Sequence, residues 1–203
     1  MKLSPKAKNI YIQVDAETTK LGDLRNIAKA IKKDHELAIE LWNTNEFLPM
    51  HLAILIMGPK LLTQEVIDKL DQDIRQHETE DGLQLMDLLM ANQLSKEKRT
   101  IALMQSWKDS SSSLQRRVFW YYQARLRWVG QTPPPDSAEL LDLIEKRIQK
   151  EKSEVQWAMN FTAAQIGIFQ PEYRNRCIML GEQTSLYKDE VVARGCTPNY
   201  LPN

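Results

Sequence analysis

Residues 36–52 read Glu36-Leu37-Ala38-Ile39-Glu40-Leu41-Trp42-Asn43-Thr44-Asn45-Glu46-Phe47-Leu48-Pro49-Met50-His51-Leu52. Leu37 and Leu41 stand four apart, the spacing of neighbours on one helical face. The helix closes on Trp42 and a short polar turn follows. A second helix then opens on apolar residues, with Pro49 in its first turn, where a missing amide proton costs nothing. The same grammar returns downstream, where Trp107-Lys108-Asp109-Ser110 leads into Leu114-Gln115-Arg116-Arg117-Val118. Two-helix units recurring in this way are built to bury an apolar face against their neighbours, which a single unit cannot do alone.

Working outward, stripes with three- and four-residue spacing recur at Val66, Ile67, Leu70 and Ile74, and at Leu85, Leu88 and Leu89. Candidate N-caps, whose side-chain oxygens accept the free amide protons of a first turn, are Asp34, Asn45, Thr63, Ser95, Ser113 and Ser153. Pro5 and Pro171 fit first-turn positions as Pro49 does. The pattern predicts helices near 5–14, 22–33, 35–43, 47–57, 64–76, 82–93, 96–108, 113–129, 137–150, 154–168 and 172–183. Most connections are only a few residues long, which sets consecutive helices antiparallel. Gln131-Thr132-Pro133-Pro134-Pro135 is the longest interruption, a stiff surface turn. The expected fold is all-α, an α-solenoid of HEAT-like antiparallel helix pairs, forming a single domain over residues 1–203.

Composition agrees with this reading. Seven glycines and nine prolines leave little turn chemistry for many short strands, and 42% hydrophobic residues supply a continuous core. The formal charge is zero, so whole-chain charge advertises neither a nucleic-acid nor a membrane partner. One local run stands out: from Leu114 to Trp128 there are four arginines, Arg116, Arg117, Arg125 and Arg127, and no acid. Cys177 and Cys196 are too few for a disulfide framework and suggest a reducing compartment. His35, His51 and His77 are scattered without ligand spacing, so no metal site is expected. The opening residues lack an apolar signal core, and the expected location is cytoplasmic.

Several segments, in this order and spacing, resemble the DNA alkylation repair family of AlkD-like HEAT-repeat glycosylases. They are Gly22-Asp23-Leu24-Arg25-Asn26-Ile27-Ala28-Lys29, the helix ending in Trp42, Trp107 through Arg117, and Val155-Gln156-Trp157-Ala158-Met159-Asn160-Phe161 onward to Arg174. The resemblance covers most of the chain from Gly22. It implies a partner, alkylated duplex DNA held on a basic surface, and a reaction, cleavage of the N-glycosidic bond of cationic N3- or N7-alkylpurines without inserting the base into a pocket. No cofactor is implied. The family cleft pairs an aspartate with two tryptophans. The carboxylate stabilises an oxocarbenium-like sugar, and the aromatic faces add cation–π attraction. Carried over by position, the aspartate is Asp87. The tryptophan four residues earlier is replaced by Leu83, the second tryptophan by Phe161, and an arginine three residues later by Ala164. Arg116, Arg117 and Arg125 lie where the resemblance implies DNA contacts.

Each of these residues also has a plainer reading. Asp87 is a cation-stabilising carboxylate, or a solvated position or local backbone acceptor. The arginines grip phosphates, or make a solvated face. Phe119, Trp120, Tyr121, Tyr122, Trp128 and Trp157 stack on bases, or bury in the core, which is the commoner fate of aromatics at helical spacing. Three functions follow: an alkylation repair protein, a catalytically lapsed module that still binds nucleic acid, and a protein-interaction scaffold.

Overall fold

The computed structural model describes residues 3–14 and 18–202. Eleven α-helices run through the described residues, and no strand is present among them. They are α1 (Pro5–Gln13), α2 (Leu21–Ile31), α3 (His35–Trp42), α4 (Phe47–Ile56), α5 (Gln64–Ile74), α6 (Thr79–Asn92), α7 (Lys98–Ser106), α8 (Ser113–Arg125), α9 (Ser137–Arg147), α10 (Ser153–Phe169) and α11 (Arg174–Thr184). No helix is long and apolar enough to cross a membrane. The sequence suggests one uninterrupted domain; the chain divides into two compact units, Met1–Gln105 and Ser106–Asn203. The division falls where α7 runs into the 3₁₀ turn Trp107–Asp109.

Two of the six expected caps, Asp34 and Thr63, hold their helices, and Ser4 caps α1. The Ser4 hydroxyl accepts from the Ala7 amide, Asp34 from Leu37 at 3.0 Å, and Thr63 from Val66 at 3.3 Å. Four expected caps lie elsewhere. Asn45 takes a left-handed φ of 57°, which turns the chain one residue before α4, so Glu46 holds the cap position. Ser112 rather than Ser113 caps α8, accepting from Gln115, and Lys152 rather than Ser153 precedes α10. Ser95 sits in the 3₁₀ turn Leu94–Lys96 and donates back to the Ala91 carbonyl, so α7 begins only at Lys98.

In the first unit, α3 packs on α4, α1 on α3, α2 on α4, and α4 on α6. Contacts between helices two apart in sequence are the mark of stacked pairs in two layers. The inner layer must then be apolar on most of its circumference. In α4, the residues Pro49 to Ile54 and Ile56 are all buried, whereas α2 buries only Leu24. Polar side chains knit the layers. The Gln93 amide, fully buried, donates to the Ile54 carbonyl, and the Trp42 indole donates to Asp73 at 2.9 Å. In the second unit α8 packs along α10, which also carries α9 and α11.

His51 is the anomaly in this core. It is buried on α4, and among the described residues neither ring nitrogen has a hydrogen-bond partner. Burial, with the charge of Arg25 adding to it, pushes its pKa from 6.5 down to about 4. The folded chain therefore binds the proton less readily than the unfolded chain does. The stability that the neutral ring contributes is held above pH 6.5 and erodes as pH falls toward 4. Between pH 7.5 and 5 the wild type should lose about 2 kcal/mol more unfolding free energy than the His51→Leu variant. Urea melts at the two pH values measure that difference, and equal losses would remove this account of His51.

Candidate functional site

On α6 the buried stripe is Gly82, Leu85, Met86, Leu89 and Met90. Leu83 and Asp87, four residues apart, lie together on the flank of that stripe, both half-buried. Asp87 is thus neither a core residue nor a fully solvated one.

The second unit holds the other positions singled out in sequence. Trp157 and Phe161, one turn apart on α10, stack with ring centroids 5.2 Å apart and planes 9° from parallel. Tyr121 of α8 meets both edge-on, at 5.5 and 5.6 Å. The Arg117 guanidinium lies 4.4 Å from the Trp157 centroid and donates to the Glu154 carbonyl at 3.0 Å. Glu154 precedes Trp157 by about one turn and Phe161 follows it by one turn. The cation and the phenyl ring therefore reach the indole from opposite sides. The result is a column, Arg117–Trp157–Phe161, in which each contact is worth about 0.5 to 2 kcal/mol.

The arginines of the acid-free run are held in different ways. Arg117 is only 5% exposed, and its charge is spent on the column and a backbone carbonyl. Arg116 is clasped by the Glu151 carboxylate, with Nη2 at 2.8 Å and Nε at 3.2 Å, and donates to the Ser110 carbonyl. Arg127 is fully buried, held by Ser137, the Gln123 carbonyl and Asp136. An acid-free run in sequence is not an unpaired run in space, because Glu151 before α10 and Asp136 before α9 supply the acids. Arg125 differs. Its guanidinium lies 5.3 Å from the ring of Trp128, which is 41% exposed. Phe119 and Trp120 are core, as aromatics at helical spacing usually are, while Trp128 is not.

Sequence reasoning passed over a second set of cations. Arg25, Lys29 and Lys32, at spacings of four and three on α2 and its C-cap, are exposed. None of the three has an ion-pair or hydrogen-bond partner for its side chain among the described residues. The same spacing rule that marks apolar stripes would have found them.

Phe161 and Ala164 also line a cavity of about 560 Å³. Its walls are α10, the start of α11, and the chain from Thr197 to Pro202 folding back over them. The Asn160 amide donates to the Asn199 carbonyl at 2.7 Å, holding that segment in place. Its end presses on α11 at Gly181, where a Cβ would stand 2.5 Å from Pro202 and 2.7 Å from Leu201, so only glycine permits the approach. Cys177, beside the cavity, has its thiol pushed up to about 11 by burial, which removes it as a nucleophile near neutral pH. Among the described residues no group of three or more His, Cys, Asp or Glu side chains is placed to hold a metal ion.

A solved structure described as a new family of proteins related to the HEAT-like repeat DNA glycosylases, with affinity for branched DNA structures, superposes with a TM-score of 0.69. That similarity covers 98% of this chain and 85% of that one at 19% identity, and it shows the HEAT-like fold. An uncharacterized protein of Listeria innocua is 24% identical over 168 residues, 81% of this chain and 70% of that protein. A counterpart from Listeria monocytogenes is 23% identical over the same shares. The family model for DNA alkylation repair enzymes matches residues 13–184, and with that match over most of its length the chain belongs to the DNA alkylation repair enzyme family.

Proposed function

We propose that this protein binds DNA through the cations that its fold leaves unpaired, and that any base excision it performs is weak and confined to labile cationic purines. Family membership carries the reading. The three α2 cations and the half-exposed Arg125 supply the charge, and the positions matching the family tryptophans supply the restriction on chemistry.

The glycosidic bond of a cationic alkylpurine needs little help to leave. What a protein adds is stabilisation of the sugar cation by a carboxylate and by aromatic faces. Leucine at 83 offers no such face, and phenylalanine at 161 offers a smaller one already stacked on Trp157. Each cation–π contact is worth about 0.5 to 2 kcal/mol, so the step is slowed by about tenfold to a few hundredfold. N3-alkyladenine, the more labile lesion, survives that loss better than N7-alkylguanine. The remaining electrostatic help rests on Asp87.

A second reading is favoured by the structural neighbour described as having affinity for branched DNA. In it the protein recognises DNA shape and performs no excision. Shape recognition draws on the same backbone cations, since phosphate contacts position a protein without reading sequence.

Two measurements test these readings. Each phosphate neutralised by a cation releases counterions, so DNA affinity should fall steeply with salt. Replacing Arg25, Lys29 and Lys32 together with glutamine should flatten the slope of log K against log salt by up to about three, and Arg125→Gln by up to about one. Arg116→Gln should leave the slope unchanged, its charge being held by Glu151. Affinity for linear and four-way-junction DNA that ignores salt, or a triple variant with an unaltered slope, would sink the assignment of this surface.

The second measurement is base release from methylated duplex by the pure protein. Slow release of N3-methyladenine is expected, erased by Asp87→Asn, with N7-methylguanine release at background. Rapid N7-methylguanine release would overturn the proposal. Absence of all release, with tighter binding to a junction than to linear duplex, would establish the second reading in its place.

A further inference from the structure

We infer that the cavity of the second unit is a binding site for a purine nucleotide, its base stacked on Phe161 and its edge read by Gln165. The inference goes beyond DNA binding and departs from what the family resemblance implies, which is chemistry without insertion of a base.

Three observations converge on one end of the aromatic column. Arg117 and Trp157 occupy one side of Phe161, and the next turn of α10, with Ala164, Gln165 and Ile168, lines the cavity together with that ring. A planar heteroaromatic ring entering there continues a stack already polarised by a buried cation. The resemblance puts an arginine at 164; alanine instead leaves the volume open beside the ring.

Gln165 is the second observation. It is only 8% exposed and lines the cavity, yet its side-chain amide has no hydrogen-bond partner among the described residues. The amide is accessible from the cavity, where a ligand can pair with it in place of water. A planar amide offers one acceptor and two donors, the pattern that pairs in bidentate fashion with the N6 and N7 edge of adenine.

Arg174 is the third. It lines the cavity, and two of its guanidinium nitrogens donate to the carbonyls of Gly167 and Ile168, at 3.1 and 3.3 Å. Among the described residues no carboxylate pairs with it. Its charge, fixed in place by two backbone bonds, suits a phosphate beside the bound base. At about 560 Å³ the cavity falls in the range that takes a ligand of nucleotide size.

The nucleotide has two sources, a free monophosphate or an unpaired residue of a DNA strand. Equilibrium dialysis with deoxyadenosine 5′-monophosphate tests the first. Fluorescence of a duplex carrying one unpaired 2-aminopurine, which is quenched on stacking, tests the second. Saturable binding or quenching in either arm is expected. It should weaken about tenfold or more in Ala164→Leu, which fills the space beside Phe161, and about tenfold in Gln165→Leu, with thermal melting within a few degrees of wild type. Lys150→Gln, exposed and lining none of the cavity, should leave dialysis binding unchanged. Signal in neither arm, or signal indifferent to Ala164→Leu, overturns the site. Because the dialysis arm contains no DNA, its failure is separable from failure of the salt-dependent DNA affinity above.

Discussion

A helix pair in this fold cannot bury its apolar face by itself, and that constraint governs the rest of the molecule. Burial has to come from the pair before and the pair after, so one helix of each pair is enclosed on nearly every side. In α4 the enclosure is met with aliphatic residues, Met50 and the single polar residue His51. In α8 and α10 it is met differently. The buried set there includes Gln115, Arg117 and Gln123 on α8, and Asn160, Thr162 and Gln165 on α10. Several of these polar groups are satisfied across the helix pair. Thr162 donates to the Trp120 carbonyl at 2.7 Å and Ser113 to Glu154 at 2.6 Å, each tying one helix to the other. The inner layer of the second unit is thus held by directional bonds as well as by packing, which makes it a precise platform for side chains on its surface.

That difference explains which parts of the molecule were legible in the sequence. Helices were, because amphipathic spacing is local and survives any tertiary arrangement: the predicted 35–43 and 47–57 are Trp42-terminated α3 and the mostly buried α4 within a residue or so. Caps were less so. Ser112 and Ser113 are chemically equivalent in sequence, and only the turn geometry decides that Ser112 accepts the Gln115 amide. Arg116 and Arg117 were not legible at all as internal residues. Their partners, Glu151 and the Glu154 carbonyl with Trp157, lie thirty-five and more positions away, beyond any local rule. Trp157 shows the same limit from the other side. Helical spacing assigns it to the core, yet it forms the middle of a column that ends at a cavity, because what matters is the cation contributed by α8.

Charge has a parallel lesson. The sum over the chain is zero, and the run richest in arginine is the one whose arginines are most thoroughly consumed by the fold. What a polyanion meets is the residue left over after internal pairing. On that criterion α2, whose interior contributes only Leu24 to the core, has more to offer than α8. A helix that is nearly all surface keeps its cations in water, where each retains its mobile counterions and can exchange them for phosphate. A helix that is nearly all interior has to neutralise its cations with carbonyls, carboxylates and rings, since an unpaired buried charge is too costly to persist.

The substitutions at the family positions follow the same logic of place. An arginine at 164 would project its charge into the space bounded by Phe161 and the segment Thr197 to Pro202, where the Asn160 amide is committed to the Asn199 carbonyl. The C-terminal segment folds over α10 and α11, and Gly181 permits the contact that seats it. In this chain the space beside Ala164 is a recess walled in part by the Phe161 ring. Such a recess suits recognition of a flat ring at its edges, and the cations that the fold leaves exposed lie elsewhere, on α2.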